Sequence, residues 1–206
     1  MKKGFLVVVA VFLLSPMMAG LAQADRGYLI GKAGVYIPSG SGENAGFNGE
    51  IGYGLNLMPG PGLLALEGTI GYFRADQSDD YYIGFQNRYR VTFDADVVPL
   101  ALSLKAGVET GPFTFYVGGG VDLLLVNMEM KYDNRYSRYS DNDNETLWGG
   151  HVMAGATFEL NPRMFIGLEA KYLATESMDM SFYGGQTVLS GDLNGFTITG
   201  LFGFRF

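Results

Sequence analysis

The sequence predicts an all-β chain, an eight-stranded antiparallel up-and-down transmembrane β-barrel. Three observations carry that expectation. Apolar and polar residues alternate with period two through short segments, the mark of strands with chemically different faces. Connections alternate between tight Gly/Pro corners and long polar loops. The chain is 48% hydrophobic with a mean hydropathy of +0.12, yet no segment after the leader is long enough for a membrane helix.

The first 24 residues read as a cleavable secretory signal, leaving residues 25–206 as the barrel. Lys2 and Lys3 form a basic start, residues 4–14 an apolar stretch interrupted by Ser15-Pro16, and Ala22-Gln23-Ala24 a small-x-small cleavage site. The apolar stretch falls short of the roughly 18 to 20 residues that a bilayer span requires.

Eight strands are expected near 27–37, 47–58, 63–74, 96–106, 113–126, 147–160, 164–174 and 195–206. In the second, Phe47, Ile51, Tyr53, Leu55 and Leu57 share one parity, while Asn48, Glu50, Gly52, Gly54 and Asn56 take the other. The fifth sets Phe115, Val117, Val121, Leu123 and Leu125 against Thr114, Tyr116, Gly118, Gly120 and Asp122. The eighth sets Phe196, Ile198, Phe202, Phe204 and Phe206 against Thr197, Thr199, Gly203 and Arg205. Each segment supplies the roughly 9 to 11 tilted residues that cross the hydrocarbon.

Residues 58–62, 107–112 and 161–163 are short and rich in turn formers, whereas 38–46, 75–95, 127–146 and 175–194 are long and polar. An up-and-down order puts all the short turns at one end and all the long loops at the other. An even strand number with short periplasmic turns and long outer loops is the pattern of a bacterial outer-membrane barrel, with both termini periplasmic.

A soluble barrel would also alternate, but with its apolar set inward. The polar parity here is rich in mid-strand glycine, as a narrow, filled interior requires. Aromatic residues of the apolar parity gather near strand ends: Phe47, Tyr72, Trp148, Tyr172 and Phe196 toward the loops, Phe115, Phe158, Phe204 and Phe206 toward the turns. Two such girdles suit the headgroup zones of a bilayer. The chain also stops at a phenylalanine within its last strand.

Composition excludes other classes. There is no cysteine, hence no disulfide scaffold, redox CxxC or thiolate metal site. Removing Lys2 and Lys3 from the 14 basic residues leaves 12 against 21 acidic ones, the wrong balance for nucleic acid.

Inward parity brings Lys32, Glu50, Glu67, Lys105, Asp122, His151, Glu159, Glu169, Lys171 and Arg205 into the lumen. Counting residues from the turn end puts Lys105, Glu159 and Arg205 low, Lys32, Glu67, Glu169 and Lys171 in the middle, and Asp122 and His151 high. A nearly balanced set favours mutual ion pairing, because isolated buried charges cost several kcal/mol even after relaxation. His151 is the only histidine, and no serine follows two residues on; pairing with Asp122 is expected, and no enzyme activity. No cofactor is expected.

Asp141, Asp143 and Glu145 form an acidic run resembling the start of a calcium loop, without the central glycine and distant glutamate of an EF-hand. It is read as a solvated tip, with a weak divalent-ion site bridging to lipopolysaccharide as the competing reading. Aromatic residues also stud the loops: Tyr81, Tyr82, Phe85 and Tyr89 in one, Tyr132, Tyr136 and Tyr139 in another. Strand extension above the membrane accounts for them, ahead of a recognition surface.

Three segments resemble the small eight-stranded outer-membrane barrels of the OmpA, OmpX and OmpW types. Val97-Val98-Pro99-Leu100-Ala101-Leu102-Ser103-Leu104-Lys105 resembles their fourth strand, and residues 111–121 (GPFTFYVGGGV) are similar to their turn and glycine-rich fifth strand. Residues 200–206 (GLFGFRF) resemble the terminal strand, in which Phe202, Phe204 and Phe206 would be read by the barrel-insertion machinery. The resemblance covers the chain after the leader. It implies a cell outer-membrane, multi-pass, porin-like barrel of the Gram-negative envelope, in contact with lipid and lipopolysaccharide. The expected role is structural and interactive, through acidic, aromatic external loops over a mostly plugged polar interior. The alternative is a narrow channel or OmpW-like conduit for small or hydrophobic solutes. A monomer is expected, since a closed barrel has no edge to satisfy.

Overall fold

A computed structural model describes residues 27–206 apart from 40–42, 59–61, 84–86, 135–136 and 183–185. Side chains are described at 27–39, 45–58, 62–74, 96–127, 145–177 and 192–206. The proposed signal, residues 1–24, lies outside the described residues.

Among the described residues, eleven strands follow in chain order: β1 (Gly27–Pro38), β2 (Glu43–Asn44), β3 (Gly46–Asn56), β4 (Gly62–Ile83), β5 (Asn87–Thr110), β6 (Phe113–Asn134), β7 (Ser137–Asn161), β8 (Met164–Thr175), β9 (Met178–Phe182), β10 (Gln186–Gly191) and β11 (Gly195–Arg205). Eight of them close a barrel in the order β1-β3-β4-β5-β6-β7-β8-β11, and β11 returns to β1 from Tyr28↔Arg205 to Pro38↔Gly195. Every neighbouring pair is antiparallel. The expected eight-stranded antiparallel barrel is the observed fold. The described residues contain no helix.

The turns have local causes. Gly111 and Pro112 join Thr110 to Phe113, and Gly111 has φ 61°, the left-handed geometry a two-residue hairpin turn requires at its first central position. At the β7–β8 corner the Asn161 side-chain oxygen accepts from the backbone N–H of Arg163 and Met164, both at 2.9 Å, so the residue folds its own turn.

Two differences from the expected elements stand out. The segments 75–95 and 127–146, expected as loops, are mostly strand: β4 to β7 run 22 to 25 residues where β1, β3, β8 and β11 run 11 to 12. Their pairing stays in register to Ile83↔Asn87, Arg90↔Asp133 and Asn134↔Ser137. Alternation continues through these segments, and their polar parity disguises them as loops. The second difference is the two-stranded β9–β10 hairpin inside the loop expected at 175–194.

Side chains sort by parity as an inside-out barrel does. Val117, Val152, Ile51 and Leu168 on the outer face are each more than 60% exposed, whereas Glu67 on the inner face is 0%. Strand β11 alternates buried and exposed without a break from Gly195 to Phe204. Of the aromatic residues assigned to girdles, Phe47, Tyr72, Trp148, Phe196, Phe115, Phe158 and Phe204 are exposed, and Tyr172 and Phe206 are half-buried. Tyr53 and Leu125 depart from their sets: both have outward parity but are buried, Tyr53 stacked on Phe206 with its hydroxyl over Gly27.

The narrow bore forces small residues where large ones point inward. The Phe165 ring occupies the space above Gly203, leaving no room for a Cβ there. Gly203→Val is therefore expected to cost about 1–3 kcal/mol as overpacking, read as a lower urea midpoint of the refolded barrel. Adding Phe165→Val should recover part of the loss; equal midpoints for wild type and Gly203→Val would refute the packing.

Candidate functional site

The lumen holds every ionisable residue that parity assigned to it, in successive layers along the axis. Nearest the turn end, Arg205 is hydrogen-bonded to Glu159, both half-buried. Above them lies an apolar layer of Tyr28, Ile30, Ala65, Phe165 and Leu201.

The middle layer is a neutral set of three lysines and three glutamates. Lys32 Nζ lies 2.8 Å from Glu67 Oε1 and donates to Glu169 Oε1 at 2.7 Å. Lys105 Nζ donates to Glu67 Oε2 at 2.8 Å and to Glu169 Oε2 at 2.9 Å. These four side chains thus form a cycle in which each cation bridges both carboxylates. Lys171 Nζ donates to Glu50 Oε1 at 2.5 Å, and Lys32 lies 3.9 Å from the other Glu50 oxygen. Tyr28 and Tyr116 hydroxyls donate to Glu67 and Glu169 at 2.8 and 2.7 Å, and Thr69 to Glu50 at 3.3 Å. All six charged residues are buried. Such charges are tolerable only when paired and further hydrogen-bonded, as they are here.

The heights differ from the counted ones at one residue. Lys105 sits in the middle layer, not low with Glu159 and Arg205. Counting from the turns treats strands as parallel to the axis, but barrel strands tilt and their register is sheared. The count therefore drifts from strand to strand.

His151 has a partner that the sequence does not reveal. Its Nδ1 is 2.6 Å from Asp122 Oδ2 and its Nε2 is 2.9 Å from Ser103 Oγ. The three residues lie on β7, β6 and β5, and Ser103, Gly120 and His151 are register partners across them. Gly120 makes the room, because a Cβ there would come within 2.8 Å of His151 Cε1. Both ring nitrogens of His151 thus stand within hydrogen-bond distance of a side-chain oxygen, one on each flank. The sequence offers no serine two residues after His151, and the fold brings one to it from β5 instead. The geometry is that of a nucleophile, base and orienting acid, but all three are buried and Ser103 is paired on both flanks, to Glu67 on β4 and Gly120 on β6.

Nearest the loop end, a second apolar layer crosses the bore: Tyr36 stacked on Phe73 at 4.3 Å, with Val97, Leu124, Val126, Leu147, Leu173 and Leu193. Parity reasoning misses it because residues 123–126 (LLLV) are apolar on both faces. At the opposite end a cavity of about 120 Å3 opens among Tyr28, Leu63, Glu67, Lys105, Phe165 and Arg205. Asp141 and Asp143 have side chains outside the described residues, as do the loop tyrosines at 81, 82, 89, 132 and 139; Phe85 and Tyr136 are not described at all. Among the described residues no group of three or more His, Asp or Glu side chains is arranged to hold a metal ion.

The family model described as outer membrane protein beta-barrel domain matches residues 6–206. The chain belongs to that family. Its location is accordingly the outer membrane. No curated protein matches the sequence. Among solved structures, the chain is similar to the outer membrane protein OprG from Pseudomonas aeruginosa, with TM-score 0.53, 13% identity and coverage of 89% of this chain and 97% of that one. It is likewise similar to a major outer membrane protein from Thermus thermophilus, with TM-score 0.52, 15% identity and coverage of 88% and 98%. The outer membrane protease OmpT from Escherichia coli matches with TM-score 0.52, 8% identity and coverage of 89% and 97%. At these identities the likeness is one of fold, and the protease activity named there does not transfer.

Two measurements follow from this arrangement. Glu67→Gln or Glu169→Gln breaks a buried, shared pair and should lower stability by about 3–5 kcal/mol, whereas Glu176→Gln at the exposed loop end should stay within about 0.5 kcal/mol. Equal urea midpoints would refute the cycle. Leu168→Arg, placing a charge on the lipid face, should cost about 2–4 kcal/mol in bilayers if it lies near the midplane, measured by unfolding from liposomes; no loss would contradict lipid contact at that position.

Proposed function

We propose that this barrel is a non-conducting outer-membrane anchor that presents a β-sheet surface to the exterior. The single observation carrying this reading is the filling of the bore. Three lysines and three glutamates neutralise one another at 2.5 to 2.9 Å, and an apolar layer crosses the lumen above them. An ion entering would have to part charge-assisted hydrogen bonds and then traverse apolar side chains, both costly in a low-dielectric bore.

In this reading the termini and tight turns face the periplasm, and β4 to β7 continue outside the bilayer as a four-stranded sheet. Among the described residues, the 137–147 stretch of β7 pairs with β6 alone. Such an edge is a template for an added strand, and an extended segment of a partner is the kind of ligand it suits. Lipid and lipopolysaccharide surround the barrel, a monomer suffices, and Phe202, Phe204 and Phe206 serve the insertion machinery. Asp141, Asp143 and Glu145 are read as a solvated acidic tip of that surface, with a weak divalent-ion bridge to lipopolysaccharide phosphates as the alternative. Enzymatic activity is not part of it. Ser103 is 2% exposed, and the backbone N–H groups beside it belong to ladders on both sides, which leaves no donors for an oxyanion.

The narrow-conduit reading draws on the cavity at the turn end, which reaches Glu67 and Lys105 from below. Planar-bilayer recordings of the purified full chain distinguish the two. The anchor predicts no conductance above background at any voltage, and Glu67→Gln together with Lys105→Met should not create one, since the apolar layer remains. Steady unitary openings of the wild type would overturn the anchor in favour of the conduit.

A further inference from the structure

The cavity at the turn end has a lining that its own residues do not satisfy. Its volume, about 120 Å3, is room for about four waters or for a ligand a little smaller than benzene. It reaches Glu67 and Lys105, whose charges are already spent. Lys105 donates to Glu67 and Glu169, and Glu67 stands between Lys105 and Lys32. Arg205 also lines the cavity, and it is spent on Glu159.

One wall differs. Glu109 on β5, Thr114 on β6 and Thr157 on β7 line the cavity as a row of register partners, Glu109↔Thr114 and Thr114↔Thr157. Both threonines are more than nine-tenths buried. Among the described residues neither hydroxyl has a hydrogen-bond partner, although buried hydroxyls as a rule have one. Glu109 has the inward parity of Lys105, is exposed, and has no partner among the described residues. Much of the remaining lining is apolar, with Ile30, Leu63 and the Phe165 ring.

We propose that this row binds a small primary amine, its ammonium held by Glu109, Thr114 and Thr157 and its carbon chain lying against Leu63 and Phe165. A primary ammonium has three donors and no acceptor. The row offers it three oxygen-bearing side chains and the one carboxylate of the lining that no cation neutralises. An anion would meet Glu109 and find Lys105 and Arg205 already paired. A purely apolar molecule would leave both hydroxyls unsatisfied, at a cost. The same ammonium is carried by free amines and by the ethanolamine headgroup of a lipid at that rim. Occupancy does not require the layers above to conduct or to block, so this site and the anchor reading fail separately.

The full chain in phosphatidylcholine nanodiscs, with its threonine methyl groups labelled for NMR, would be titrated with n-butylammonium chloride. The Thr114 and Thr157 methyl signals should shift saturably. Half-saturation should fall at or below about 80 mM, the weakest that about five non-hydrogen atoms give at the efficiency of drug-sized ligands. Glu109→Gln should weaken binding about fivefold, as loss of an exposed ion pair does, and n-butyrate at equal ionic strength should bind at least about fivefold more weakly. Should Glu109→Gln fail to fold, Thr157→Val read at the Thr114 methyl should show a loss of about fivefold, that of one hydrogen bond. Absence of saturation by about 80 mM, equal affinity for butyrate, or unchanged affinity in the variant overturns the site. Replacing part of the phosphatidylcholine with phosphatidylethanolamine separates the two sources. A lower apparent affinity for butylammonium then marks the headgroup as the occupant, and an unchanged one marks a free amine.

Discussion

Inside hydrocarbon a backbone N–H or C=O without a partner costs several kcal/mol, so a sheet that crosses a membrane must close on itself. That constraint organises this molecule. It fixes the β11–β1 seam from Tyr28↔Arg205 to Pro38↔Gly195 and the antiparallel order in which neighbours in sequence are neighbours in space. With eight strands, closure also fixes a bore that side chains can fill. Whatever points inward must then be packed and satisfied by other inward residues, and the lumen's chemistry follows from closure as much as from any function.

The filling obeys two separate rules at different heights. In the middle, three lysines and three glutamates cancel in charge, with tyrosine and threonine hydroxyls taking up carboxylate lone pairs. Near both ends the requirement switches from satisfaction to volume, and rings and branched chains fill the space: Phe165 over Gly203 toward the turns, Tyr36 on Phe73 toward the loops. The apolar layer toward the loops keeps water on that side from competing for the ion pairs, and this lengthens the reach of each charge. The Ser103–His151–Asp122 relay sits between the ion layer and the apolar layer and ties three adjacent strands together. Its resemblance to a catalytic triad is one of distances among buried side chains.

How much of this is legible in the sequence depends on how register is set. Parity is local, so the inward set from Lys32 to Arg205 can be read strand by strand. Lateral register is local only across tight turns: Gly111-Pro112 makes Ser103, seven residues before Thr110, face Gly120, seven residues after Phe113. Across β6 and β7 the link from Gly120 to His151 passes through a connection with a described span reaching Asn134↔Ser137, and no turn signal in the sequence fixes it. The serine beside His151 stays hidden for that reason. Counting misplaces Lys105 because tilt is a property of the closed barrel and belongs to no single strand. The apolar layer escapes because residues 123–126 lack alternation altogether, and only the fold separates the fully buried Leu124 and Val126 from Leu123 beside them.

The inversion of polarity along β5 and β6 has its own physical logic. Below Asp96 and Asn127 the outer parity is apolar, with Val98, Leu100 and Leu102 on one strand and Val121 and Leu123 on the other. Above that level the residues of the same parity are charged or polar in type, in the register pairs Asp94↔Glu129 and Arg90↔Asp133. On the lumen side the sequence runs oppositely, from Lys105 and Ser103 to Pro99 and Val97, and on to residues of apolar type. The inversion is confined to the central pair, because Gln77 and Asp79 of β4 and Asp141, Asp143 and Glu145 of β7 are register partners of the apolar residues, so each strand's pattern is set separately although the ladder is continuous.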